Sequence, residues 1–382
     1  MLIQSRNVYV NETLQPLEIE LEGSRIAKIM PYGSQKPDVD YGDAKILPGL
    51  IDIHNHGYMR RDASHATRQW VKEWMAYLPS EGVTSILATT GSAPHETILS
   101  GMREIAAAVQ EGYEGTNIVG IYSEGPFISL RYAGAQNKDC LQIPTCEKID
   151  DYIEASGGLL RYVMVAPEML DSMDVISYCV SKGIRVAIGH SGADFETCAR
   201  AREAGACSFT HTYNGMRGLH HREPGVLGAA MYFKDMWAEL IGDGVHVVFP
   251  AAKILAEAKG KDKLISVTDS VAIKGLPAGT VLEHPRHSIR ICEDGVGRLE
   301  DGTIAGSCNR LNIVLMREIE KAGIDPVTAI NSVTANPARM LGLDARKGFI
   351  REGLDADLTV LDESYEPLET YVMGRPMLGK IG

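Results

Sequence analysis

Six residues whose side chains bind metals or move protons stand at the ends of short apolar runs. His54 and His56 close the run ending Asp52-Ile53-His54-Asn55-His56-Gly57, and Glu124 lies between Ser123 and Gly125-Pro126-Phe127. His190 sits in Gly189-His190-Ser191, His211 opens His211-Thr212-Tyr213-Asn214, and Asp269 lies in Thr268-Asp269-Ser270. Histidine nitrogens and carboxylate oxygens are the donors that hold zinc or ferrous iron, and a catalytic ion keeps one position open for water. Water bound to such an ion reaches a pKa of roughly 7 instead of about 15.7. A carboxylate such as Asp269 can take the water's proton and deliver it to a poor leaving group such as an amine. One histidine at a strand end is ordinarily a hydrogen-bonding residue. Five separate runs delivering such groups form the pattern of a metal site, and strand alternation puts His54 and His56 on one side. His65, His95, His220, His221, His284 and His287 lack this placement and read as surface or loop residues.

Collecting these groups requires a scaffold that brings many strand ends to one face. From Ile46 onward the apolar runs are Ile46–Ile53, Val83–Thr89, Ile118–Tyr122, Leu160–Ala166, Arg185–Ile188, Ala206–Thr210, Trp237–Ile241 and Leu264–Thr268. Helical periodicity separates them, in Thr67–Ser80, His95–Glu111, Asp171–Lys182, Phe195–Ala204 and Ala251–Lys259, with further helices at Asn309–Lys321 and Pro326–Ser332. Parallel strands need such crossovers, and eight units close into a barrel whose reactive groups come from the C-terminal strand ends. The expected fold is α/β, a (β/α)8 TIM-type barrel. The flanks read as strands: Leu2–Val10, Leu17–Leu21 and Arg25–Met30 before it, Leu358–Leu361 and Tyr371–Met377 after it. Each flank is too short to bury a core alone. They are therefore expected to meet as one small β-sandwich domain, residues 1–45 together with 346–382, beside a catalytic barrel of residues 46–345.

The balance of 38 basic against 50 acidic residues leaves a net charge of −12 with no basic run. That argues against nucleic acid or an anionic membrane as partner. No apolar run is long enough for a membrane span, and no basic-then-apolar segment opens the chain, so a cytoplasmic protein is expected. The seven cysteines form no CxxC pair and read as free thiols of a reducing compartment.

The six residues and further stretches resemble the amidohydrolase superfamily, and within it the family of N-acetylglucosamine-6-phosphate deacetylases. The stretches are Leu47-Pro48-Gly49-Leu50-Ile51-Asp52-Ile53-His54, Glu124-Gly125-Pro126-Phe127, Gly189-His190-Ser191, His211-Thr212-Tyr213-Asn214, Arg222-Glu223-Pro224-Gly225, Asp243-Gly244-Val245-His246, Thr268-Asp269 and Gly302-Thr303-Ile304-Ala305-Gly306-Ser307. The resemblance implies Glu124, His190 and His211 as metal ligands. Some members hold a second ion on a His-x-His, here His54 and His56; others work with one. Asp269 matches the proton donor and acceptor. Asn214, Gly215, Arg222 and His246 match positions that hold the sugar phosphate, and Ala135, Gln136, Ile304, Ala305 and Gly306 match other substrate-contacting positions. The planar fork of Arg222 suits phosphate oxygens. The implied reaction is hydrolysis of the N-acetyl group of N-acetylglucosamine 6-phosphate to glucosamine 6-phosphate and acetate, in amino-sugar catabolism, by a zinc- or iron-dependent homodimer.

Three departures bear on the substrate. Gln136-Asn137-Lys138 stands where the family places His-Asn-Pro, Gly215 replaces an alanine, and Tyr58-Met59-Arg60-Arg61-Asp62 replaces a glycine-rich run. They leave the C4 epimer, N-acetylgalactosamine 6-phosphate, open as the sugar. A dihydroorotase-like cyclic-amide hydrolase would end strand four in a lysine, where this chain has Val165-Ala166-Pro167-Glu168. A non-catalytic scaffold would have lost ligands that this chain retains.

Overall fold

The computed structural model describes residues 1–284 and 287–379; residues 380–382 of the C-terminal flank, and the side chains of His284 and His287, lie outside the described set. Eight strands run in chain order around the barrel: Leu50–Asn55, Val83–Thr90, Asn117–Ser123, Leu160–Val165, Arg185–Ile188, Ser208–Phe209, Trp237–Leu240 and Leu264–Ser266. Each pairs in parallel with the next. Beyond the eighth strand a parallel bridge joins Asn55 to Ser270, with Asp269 N–H donating to His54 O and His56 N–H to Ser270 O. The first and last strands thus meet at a seam. Asp52 pins it from below: its carboxylate accepts from Thr268 Oγ1 at 2.6 Å and from Asn55 Nδ2 at 3.0 Å.

Alternation along the strands explains the two apolar layers. Tyr122, Met164, Ile241 and Ile265 belong to the barrel's inner cluster, while their neighbours Ile121, Val163, Leu240 and Leu264 belong to the layer shared with the helices. The helices answer with one apolar stripe each. In Arg68–Tyr77 the buried residues are Trp70, Val71, Trp74 and Met75, and Thr67 caps the helix by accepting from Trp70 N–H.

The strands of both chain ends form one mixed sheet, in the order Arg375–Pro376, Pro367–Val372, Leu358–Leu361, Lys45–Pro48, Leu2–Val10, Thr13–Glu22, Arg25–Pro31, with Val39–Asp40 also paired to Leu2–Val10. Its own apolar cluster includes Ile3, Ile19, Ile26, Ile46, Leu358 and Val360. Three details differ from the sequence expectation. The run Ile46–Ile53 is two strands, because the chain turns from sheet to barrel at Gly49, where a Cβ would stand 2.2 Å from Thr84 Oγ1. The run Tyr371–Met377 is broken by a turn at Met373 (φ 50°) and Gly374 (φ 78°). Between the last barrel strand and the helix Leu311–Glu320 lies an unexpected antiparallel sheet of Val281–His284, His287–Ile291, Val296–Arg298 and Ile304–Ser307. Asp294-Gly295 and Asp301-Gly302 are the turn signals that announce its hairpins.

Candidate metal centre

The barrel's C-terminal face brings all six residues together. Glu124 directly follows the third strand, His190 and His211 lie two residues past the fifth and sixth, and Asp269 three past the eighth. Two groups of ligand atoms result, one of Glu124, His190 and His211 and the other of His54, His56 and Asp269. In the first, Glu124 Oε1 is 3.2 Å from His190 Nε2 and 2.9 Å from His211 Nε2, and the two ring nitrogens are 3.1 Å apart. In the second, His54 Nε2 and His56 Nε2 are 3.1 Å apart and each stands 3.4 Å from Asp269 Oδ1. His54 Nε2 is also 3.5 Å from Glu124 Oε1. His190, His211 and Asp269 have φ of 43°, 27° and 46°. Such left-handed backbone costs about 1–3 kcal/mol per residue and is held by the surrounding structure.

These distances fit a cation. Bonds of about 2.0–2.1 Å to a tetrahedral zinc ion place ligand atoms about 3.3 Å apart, close to the separations seen. The tautomers agree. His190 Nδ1–H donates to Tyr132 O at 2.6 Å, and His54 Nδ1–H donates to Glu239 Oε2 at 2.9 Å. With the proton on Nδ1, each Nε2 offers a bare lone pair to the centre. The electrostatics call for positive charge as well. Burial works against ionising Glu124, yet the facing imidazoles, His54 foremost, hold its carboxyl well below the usual carboxylate range. Burial likewise opposes charge on His56, and Asp269 and Glu124 nonetheless push it up to about 9.

Glu239, absent from the sequence expectations, braces both groups from beneath. Besides His54 Nδ1 it accepts His211 N–H at 3.1 Å through Oε2 and Tyr162 Oη–H at 3.0 Å through Oε1. A lone carboxylate inside the apolar run Trp237-Ala238-Glu239-Leu240-Ile241 was the available signal, since buried carboxylates survive only when fully partnered. Glu168 accepts Ser191 Oγ–H and Gly192 N–H, both at 2.6 Å, and so braces the loop after His190.

The expected substrate residues divide by location. Gly215 lies against the His190 ring, where a Cβ would stand 2.9 Å from Nδ1, and Asn214 N–H donates to His211 O. Ile304, Ala305 and Gly306 lie on the strand alongside the seam, with Ser307 N–H donating to Asp269 O. Gln136, next to half-buried Ala135, touches Glu124 itself. His246 is held by Asp243, whose Oδ2 is 2.6 Å from Nδ1, and its Nε2 has no partner among the described residues. Asn309 Nδ2 donates to the same Asp243 oxygen at 2.9 Å, a brace the sequence did not signal. Arg222 stands apart on an exposed loop, its Nη1 2.6 Å from His221 Nε2. Arg60 and Arg61 are exposed on a short hairpin, Gly57–Tyr58 with Arg61–Asp62. His65 pairs with Asp62 and His95 with Asp151, outside the centre. All seven cysteines are free; Cys179 and Cys198 are buried.

Comparison with known proteins extends the geometry. Residues 46–377 match the amidohydrolase family. The chain is 36% identical over 362 residues to the N-acetylglucosamine-6-phosphate deacetylase of Bacillus subtilis (strain 168), covering 92% of this chain and 91% of the relative. It is 34% identical over 338 residues to the N-acetylgalactosamine-6-phosphate deacetylase of Escherichia coli O157:H7, covering 87% and 88%. Among solved structures, a mutant N-acetyl-D-glucosamine-6-phosphate deacetylase from Mycobacterium smegmatis in complex with N-acetyl-D-glucosamine-6-phosphate superposes with a TM-score of 0.92 at 29% identity, covering 99% of both chains.

Proposed function

The chain belongs to the amidohydrolase family, and from that premise we propose that it hydrolyses the N-acetyl group of N-acetylglucosamine 6-phosphate, giving glucosamine 6-phosphate and acetate. The observation that carries the reading is the convergence of Glu124, His190 and His211 with His54, His56 and Asp269 at the mouth of a barrel whose relatives are named for this reaction. A divalent metal, zinc or iron, on Glu124, His190 and His211 supplies Lewis-acid polarisation of the amide carbonyl and water ionised near neutral pH. His54 and His56 would hold a second ion if one binds.

The chain's own residues do the rest. Asp269, fixed at the seam by its backbone contacts with His54 and Ser307, accepts a proton from the attacking water. It returns that proton to the amide nitrogen as the C–N bond breaks, so that the sugar leaves as a free amine. Asn214, Gly215, Arg222 and His246 hold the sugar phosphate, and Ala135, Gln136, Ile304, Ala305 and Gly306 line the pocket. Arg222 has no carboxylate within ion-pair distance among the described residues, so its guanidinium is available to phosphate oxygens. The reading carries with it a cytoplasmic homodimer; light scattering of the purified protein checks the dimer. Among the described residues no helix is long and apolar enough to cross a membrane.

A second reading is the C4 epimer, N-acetylgalactosamine 6-phosphate. The likeness to the Escherichia coli enzyme favours it. One experiment tests both: acetate release by metal-loaded protein from the two phosphorylated sugars and from unphosphorylated N-acetylglucosamine. Fast release confined to the phosphorylated sugars supports the assignment, and the faster of the two names the substrate. No release from any of them rejects it.

A further inference from the structure

We propose that Gln136 is a positioning residue of the metal centre, its side-chain amide deciding which oxygen of Glu124 faces the metal. The inference rests on the reading that Glu124, His190 and His211 hold the ion, and goes beyond it by moving Gln136 from the sugar pocket to the ligand set's support.

Gln136 Nε2 donates to Glu124 Oε2 at 2.5 Å and to the Glu124 backbone oxygen at 3.3 Å, while its Oε1 accepts Ser92 N–H at 2.7 Å. The amide's orientation is therefore unambiguous, since the flipped form would set oxygen against oxygen twice and NH2 against N–H. A glutamine side chain has two N–H donors and one carbonyl oxygen. Both donors are used on Glu124, so none remains for a sugar hydroxyl while Glu124 is held.

The two oxygens of Glu124 are correspondingly divided. His190 and His211 both approach Oε1, whereas Gln136 and His56 Nε2, at 3.2 Å, face Oε2. A carboxylate on a glutamate side chain turns freely about a broad, roughly two-fold torsion, and the clamp on one oxygen removes that freedom. The same loop steadies a second ligand, because Tyr132 O accepts His190 Nδ1–H and Ser129 N–H donates to His190 O. One segment after the third strand thus orients both Glu124 and His190. Support of this kind is commonly worth about 10- to 100-fold in metal affinity.

The test is zinc affinity of wild type, Gln136→Met and Gln136→Ala, measured by competition with a chromophoric chelator. Methionine matches the length of glutamine without its amide, and alanine provides a second route should methionine perturb folding. Both variants should bind zinc about 10- to 100-fold more weakly, with metal-free unfolding midpoints close to wild type. The visible absorption of cobalt(II)-loaded Gln136→Met should also change, reporting a rearranged ligand set. Zinc affinity within twofold of wild type in both variants, with a raised KM for the sugar, would overturn the proposal and leave Gln136 a substrate contact. A wild-type protein that competes for no zinc would instead overturn the metal assignment beneath it.

Discussion

Replacing Glu239 by leucine removes a group that touches both halves of the candidate metal centre from below. Its carboxylate is fully buried and accepts His54 Nδ1–H, His211 N–H and Tyr162 Oη–H. Leucine fills similar space and accepts nothing. The Tyr162 hydroxyl can rotate, but the imidazole and backbone donors are fixed, and each stranded donor costs about 1–3 kcal/mol. The expected loss is therefore about 2–6 kcal/mol, a large share of the roughly 5–15 kcal/mol that stabilises an ordinary domain. Glutamine behaves differently. Its oxygen can serve His54 and His211 while its NH2 donates to Tyr162 Oη, so only the charge is lost. Charged hydrogen bonds contribute about 1.5–3 kcal/mol against about 0.5–1.5 for neutral ones. Glu239→Gln should thus cost about 1 kcal/mol, which is about fivefold in an equilibrium constant. Urea unfolding of the metal-free proteins and zinc competition read the two effects separately. A Glu239→Leu protein as stable as wild type, or a Glu239→Gln protein as damaged as the leucine variant, would refute the account.

Asp269→Asn is expected to lower kcat by about 100- to 10,000-fold with zinc still bound; near-normal turnover would remove Asp269 from proton transfer. Arg222→Ala should raise KM for the phosphorylated sugar far more than for the unphosphorylated one, and equal losses on both would end its assignment to phosphate. Glu318 supplies a pH test. Its carboxyl is buried, accepts Ser266 Oγ–H at 2.6 Å, and is pushed up to about 8 by that burial. A carboxyl raised in the folded state contributes stability that is full below its ordinary value of 4.5 and is lost as pH rises through about 8. Glu318→Gln cannot ionise and should gain on wild type across that window. Parallel stability–pH curves for the two proteins would contradict it.

The convergence of the six residues was legible because each ends an apolar run, and a parallel barrel must deliver such ends to one face. The supports were harder to see. Asp52 and Glu239 lie amid runs otherwise apolar, a pattern that flags a buried carboxylate but not the donors that satisfy it. Partnership is a three-dimensional fact, and no local spacing records that Gln136 folds back onto Glu124, twelve positions before it. The strand boundaries failed for a related reason. Ile46–Ile53 is apolar but for Asp52 because Lys45–Pro48 is buried in one sheet and Leu50–Asn55 in another, and Gly49 marks the change. The sheet between Val281 and Ser307 did carry Asp-Gly turn signals, but its strands are short and its alternation weak.

The two ligand groups differ in what folding must accomplish before each exists. Glu124, His190 and His211 come from the third, fifth and sixth strands, an arc of the barrel that can assemble while its ends are still apart. His54, His56 and Asp269 straddle the seam, on elements at opposite ends of the barrel's sequence that meet through the Asn55–Ser270 bridge, its neighbouring backbone bonds and the Asp52–Thr268 hydrogen bonds. Bringing them together demands the longest loop closure in the barrel, and contacts of such separation are the slow ones to form. A chain with seven of its strands assembled would already present one set of ligands and lack the other. Local opening of the seam, likewise, would separate Asp269 from its histidines and leave Glu124, His190 and His211 in place.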